Sequence, residues 1–117
     1  MNPERMYDAL DRITRVRGVR GAMVVSAEDG LVVGEAVMEG VRGNAVAALA
    51  ASLAARLGRA AGAAEAGAQR FVHLQAEVGA MLLMPGADGL VIVAVTDQHV
   101  NVGLVRLEMQ RMVEDIA

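Results

Sequence analysis

The 117 residues suffice for one domain with a real core and fall short of a two-domain enzyme. A net charge of −3, with acids and arginines interspersed and no basic stripe, argues against nucleic-acid binding, and the absence of cysteine excludes disulfides and thiol chemistry. The apolar share is 55% before glycine is counted, above the ~45–50% that an average chain reaches with glycine included, so part of that surface is expected to meet a partner.

Asn2-Pro3-Glu4 opens a helix with a capping side chain, a proline in the first turn and an acid near the positive end of the dipole. Met6, Leu10 and Ile13 give it an apolar face, and the spacing predicts a helix from about Pro3 to Val16, ended by Gly18. Its arginines Arg5, Arg12 and Arg15 alternate with Asp8 and Asp11, which predicts a solvated face with weak i, i+4 pairs. Two β-branched runs follow, Gly18 to Ser26 and Leu31 to Val37, joined by Ala27-Glu28-Asp29-Gly30, a hairpin signal. Leu31, Val33 and Val37 are expected on one face of the second run, with Glu35 interrupting it.

Asn44 to Ala64 reads as one alanine-rich helix with three faces. At about 100° per residue, Val46, Leu49, Leu53, Leu57 and Ala60 form a stripe with core-facing spacing. Beside it Ala47, Ala51, Ala54, Gly58 and Ala61 form a stripe with no side chain larger than a methyl. Ser52, Arg56 and Arg59 lie on the polar edge. The expectation is that the leucine stripe seats on a sheet while the bare stripe meets a second copy of the same helix, since small residues let two helices approach to the low end of the ~8–10 Å range. The competing reading is that alanine, the best helix former, simply fills a surface.

Arg70 to Ala76 alternates, with Val72 and Leu74 on one side and Phe71, His73 and Gln75 on the other, as an outer strand does. Ala80 to Met84 and Leu90 to Thr96 are apolar on both faces, as interior strands are. Asn101 caps a closing helix from Val102 to about Ile116, whose stripe is Val105, Met109, Met112 and Ile116; Leu104 and Leu107 fall off that stripe and are expected to pack on the first helix. The order is helix, two strands, helix, three strands, helix.

The Gly18-Val-Arg-Gly-Ala-Met-Val-Val-Ser26 run resembles the Roadblock family, as do the Asp29-Gly30-Leu31 turn, the alanine-rich middle helix, the meander and the Asn101-Val-Gly-Leu-Val-Arg-Leu-Glu108 helix opening. The nearest likeness is to bacterial members of the MglB type, over nearly the whole chain. The resemblance implies an α/β (α+β) three-layer sandwich, α-β-β-α-β-β-β-α, in a single domain over residues 1–117, with a five-stranded antiparallel sheet in the order 2-1-5-4-3. It also implies a homodimer in which third strands meet edge to edge and middle helices pair. Members of the family serve as platforms for Ras-like small GTPases; some bacterial ones accelerate GTP hydrolysis by the partner, and others are adaptors with no effect on nucleotide turnover. Fold alone does not choose between these.

Intrinsic catalysis has no support in the residues. Without lysine there is no phosphate-binding Gly-Lys-Ser/Thr loop, and Ser26 and Ser52 have no motif linking them to a histidine. His73 and His99, with no cysteine and no patterned carboxylates, fall short of a zinc site, so no metal or cofactor is expected. No run is long and apolar enough to insert in a membrane and nothing marks the N-terminus as a signal peptide, which together with the absence of cysteine makes the cytoplasm the expected location. The expected dimer interface is Ala47, Ala51, Ala54, Gly58 and Ala61 with Phe71 and His73. The expected contact for a third molecule is Arg42, Ser52, Arg56 and Arg59, because arginine's forked, weakly hydrated head is favoured in interfaces; the alternative is a solvated helix face.

Overall fold

The computed structural model describes residues 2–116. Its elements are α1 (Pro3–Thr14), β1 (Val19–Ser26), β2 (Val32–Val37), α2 (Gly43–Ala63), β3 (Val72–Gln75), β4 (Gly79–Pro85), β5 (Leu90–Asp97) and α3 (Val102–Ile116). The strands form one antiparallel sheet in the order β2-β1-β5-β4-β3, as the resemblance implied. Two apolar clusters divide along the strands by the period-2 alternation of side chains. Ala22, Val24, Leu82, Ile92 and Ala94 face α1 and α3, while Met23, Val25, Leu83, Val91 and Val93 face α2.

Local chemistry sets the element boundaries. The Asn2 side chain accepts a 2.9 Å bond from the Glu4 N–H, with Pro3 opening α1, and Asn101 Oδ1 accepts the Leu104 N–H at 3.0 Å at the start of α3. In the β1–β2 turn Asp29 Oδ1 accepts the Leu31 N–H at 3.0 Å, and Gly30 takes φ 72°, a left-handed conformation that costs glycine little. A bulge at Val24/Val25 then shifts the β2 register, so the side of β2 toward α2 carries Val32, Glu35 and Val37. The expected face of Leu31, Val33 and Val37 is thereby corrected: Leu31 and Val33 are exposed. Glu35 is accounted for as well, since its carboxylate fills the space beside Gly43, where the positive end of α2 favours an anion and no side-chain cap is present.

The seat of α2 is rotated toward the alanine stripe, with Val46 and Leu53 of the expected core stripe kept at its margin. Ala47, Ala50, Ala51 and Ala54 are buried against Met23, Val25, Leu83, Val91 and Val93, whereas Leu49 is 69% exposed and Val46, Leu53 and Leu57 are half-buried. The bare stripe seats the helix on its own sheet. A close approach explains it: a Cβ on Gly30 would come within 3.1 Å of the Ala48 Cα, so the hairpin turn already touches the helix backbone. A leucine at Ala47 or Ala51 would hold the helix off. The part of the interface prediction that rested on outward-facing Ala47, Ala51 and Ala54 is therefore corrected.

On the other face, Leu10 and Ile13 of α1 and Val105, Met109 and Met112 of α3 are fully buried. The arginines of α1 do not make the expected pairs with Asp8 and Asp11 among the described residues. Arg12 instead reaches α3, 2.6 Å from Asp115 and 3.8 Å from Glu108, and Arg111 holds Glu108 at 2.8 Å. Leu104 and Leu107 remain exposed rather than covered by α1, because the helix–helix seam runs through Glu108 and Asp115.

At the start of β4 a Cβ on Gly79 would collide with the Thr96 carbonyl oxygen of the neighbouring strand. Gly79→Ala is therefore expected to lower stability in urea unfolding by about 1–3 kcal/mol, the usual cost of overpacking, with the fold retained by circular dichroism.

Candidate functional site

The surface of α2 left free by its seating is apolar on one flank and basic on its crest. On a helical projection Val46, Leu49, Leu53, Leu57 and Ala60 lie together on the flank, and Ser52, Arg56 and Arg59 lie on the crest opposite the buried alanines. All three crest residues are exposed, and among the described residues none of their charged groups forms an ion pair. Arg42 is exposed too but precedes the helix, 14 positions and so about 21 Å along the axis from Arg56. One protomer thus brings together Ser52, Arg56 and Arg59 and leaves Arg42 apart.

The leucine flank adjoins the edge of the sheet. Leu53 of α2, Val72 of β3 and Met81 of β4 all border the same apolar cluster. Among the described residues β3 pairs with β4 alone, so its outer row of backbone N–H and C=O groups is open there, and neither proline nor lysine guards it. Leu74 is 47% exposed on the α2 side of this strand. His73 is exposed on the opposite side, in register with Leu82. Phe71 departs from expectation: it lies before β3, packs against the cluster under α1 and α3, and has the Arg106 guanidinium 4.5 Å above its ring. Its ring is committed within the protomer. Gly58 and Ala61 are half-buried, at the margin of the seat occupied by the other alanines.

The residues weighed for chemistry are dispersed. Ser26 ends β1, Ser52 stands on the crest of α2 and His73 is on the opposite face of the sheet from it. His99 is in the β5–α3 turn, where its N–H donates to Asp97 Oδ1 at 2.8 Å. Among the described residues no group of three or more His, Cys, Asp or Glu side chains is arranged to hold a metal, and no helix is long and apolar enough to cross a membrane.

A sheet of this order, with one helix on one face and the two terminal helices on the other, can be compared with known families. The model of the Roadblock/LC7 domain matches residues 6–96. The chain belongs to the Roadblock/LC7 family. Uncharacterized protein MJ1340 of Methanocaldococcus jannaschii is 31% identical over 104 residues, spanning 89% of this chain and 90% of its own length. Its relative MJ0714 from the same organism is 31% identical over 114 residues, 97% and 95% of the two chains. Among solved structures, MglB of Myxococcus xanthus superposes with a TM-score of 0.88 at 17% identity, over 99% of this chain and 94% of that one. The gliding protein MglB of Thermus thermophilus gives 0.85 at 22% identity, over 97% and 87%. At such identities these two likenesses concern the fold.

Within this Roadblock/LC7 domain, the residue that sequence reasoning misplaced most clearly is Leu49, which is exposed, while Leu53 keeps a contact with the core and Leu57 is half-buried. The signal that could have found it is Gly30, which marks a turn needing room against small side chains of the following helix. The seating has a direct check. Ala54→Leu is expected to cost about 1–3 kcal/mol in urea unfolding by overpacking the sheet, whereas Ala45→Leu, exposed on the same helix, changes stability by no more than about 0.5 kcal/mol.

Proposed function

We propose that this protein is a homodimeric platform that binds a Ras-like small GTPase and regulates it without chemistry of its own. The observation that carries the reading is the apolar flank Leu49, Leu53 and Leu57 beside the open β3 edge, on a Roadblock/LC7 domain. A second copy satisfies both: β3 edges pair through their free backbone groups, His73 lying at the junction, and the leucine flanks of two α2 helices bury each other. The outward flank thus takes the role first assigned to the alanines. The interface is expected to bury on the order of 2,000 Å² in total, as obligate dimers do.

A two-fold axis crossing α2 near Leu53 runs the helices antiparallel. The Arg42 end of one helix then meets the Arg59 end of the other, so Arg42, Ser52, Arg56 and Arg59 gather on one composite surface. Unpaired arginines on a rigid helix pair suit recognition of a folded protein partner by bidentate bonds to carboxylates. The MglB likeness in fold supports a GTPase as that partner.

Light scattering is expected to give a dimer at micromolar concentration. Leu49→Arg should yield a folded monomer, while Glu28→Arg on the hairpin turn leaves the dimer intact; a monomeric wild-type protein would sink the reading. With a purified candidate GTPase, Arg56→Ala with Arg59→Ala is expected to weaken complex formation at least tenfold. Single-turnover GTP hydrolysis with and without the protein separates a stimulating regulator from an adaptor that leaves turnover unchanged.

A further inference from the structure

Away from α2, an open slot of about 410 Å³ lies between the approach to β3 and the outer half of α3. Met84, Pro85 and Val113 give it apolar walls, and Arg70 and Arg106 supply two guanidinium groups. Arg12 and Arg111 are both engaged by carboxylates, whereas among the described residues neither Arg70 nor Arg106 has an acidic partner. Arg106 is nonetheless positioned. Its head lies 4.5 Å from the centroid of the Phe71 ring, and Phe71 is packed on the core, so a planar fork is held by stacking while its N–H edges stay available. The approach to β3 is also anchored from behind, because Gln69 Nε2 donates to the Ala54 carbonyl of α2 at 3.1 Å.

We propose that this slot is a second binding site, independent of the α2 surface, and that it captures a carboxylate of an acidic, leucine-containing segment of a partner protein. Two unpaired arginines attract an anion and offer the forked geometry that a carboxylate matches. The third charge lining the slot, Glu114, offsets one of them, leaving a local balance of about +1. That balance suits a single negative charge and disfavours the near-dianion of a phosphate monoester, which would face Glu114. The walls of Met84, Pro85 and Val113 accept the apolar neighbour of the acidic residue.

The test is a titration of the isotope-labelled full chain with the acetylated, amidated peptide Leu-Glu-Leu, read by amide shifts. Saturable shifts over residues 69–71 and 106–114 are expected, with the Leu-Gln-Leu peptide giving none. Arg106→Gln and Arg70→Gln should each weaken binding at least tenfold with melting temperatures recorded in parallel, while Arg56→Gln on α2 leaves it unchanged. Absence of saturable shifts at these positions, an equal response to the glutamine peptide, or insensitivity to both slot arginine substitutions would overturn the proposal. Tighter binding of a Leu-phosphoserine-Leu peptide would overturn the assignment to carboxylate.

Discussion

How closely the α2 backbone can approach the sheet governs the arrangement of that whole side of the molecule. A row of methyl groups at Ala47, Ala50, Ala51 and Ala54 brings the helix down onto Met23, Val25, Leu83, Val91 and Val93, and the β1–β2 turn closes on it at Gly30. Because the alanines take the seat, the bulkier Leu49 is turned outward, and Leu53 and Leu57 are left half-buried at the side of the helix, Leu53 still touching the core. The free apolar surface of this protein follows from a demand of its interior. A helix seated on leucines would present its small side chains outward and carry no such flank.

The order of elements and their types could be read from the residues. Capping at Asn2 and Asn101, the Asp29-Gly30 turn and the continuous apolar runs of β4 and β5 are local signals, and each appears where the chain order predicts it. The sheet order came with the family resemblance, since local patterns do not say which strands neighbour each other. The orientation of α2 was misread because periodicity groups residues into stripes without saying which stripe faces inward. Larger side chains were assigned to the core, although the available space, set by a turn more than a dozen residues earlier in the chain, favoured the smaller ones.

Non-local contacts were beyond the reach of sequence pattern for a similar reason. Arg12 has acids on its own helix yet pairs with Asp115 across more than a hundred residues, and Phe71 is drawn out of the strand pattern by Arg106 and the α3 side of the core. The bulge at Val24/Val25 is subtler, since one extra residue redirects the β2 side chains without altering the hydrophobic pattern that predicts the strand. The candidate surface was therefore half legible. The crest of Ser52, Arg56 and Arg59 could be placed from helix geometry alone, but the flank beside it could not.

Asp97 joins the roots of the two terminal helices, where α1 ends and α3 begins. Its N–H donates to the Gly18 carbonyl at 2.7 Å, and its carboxylate accepts the His99 N–H at 2.8 Å in the turn that leads to α3. Arg12, in the last turn of α1, reaches along the helix pair to Asp115 near the far end of α3. Joined at their roots and by this clasp, α1 and α3 constitute one cooperative layer rather than two terminal appendages. In native-state hydrogen exchange their amides are expected to share one opening free energy, the two termini being released together from a sheet that still carries α2.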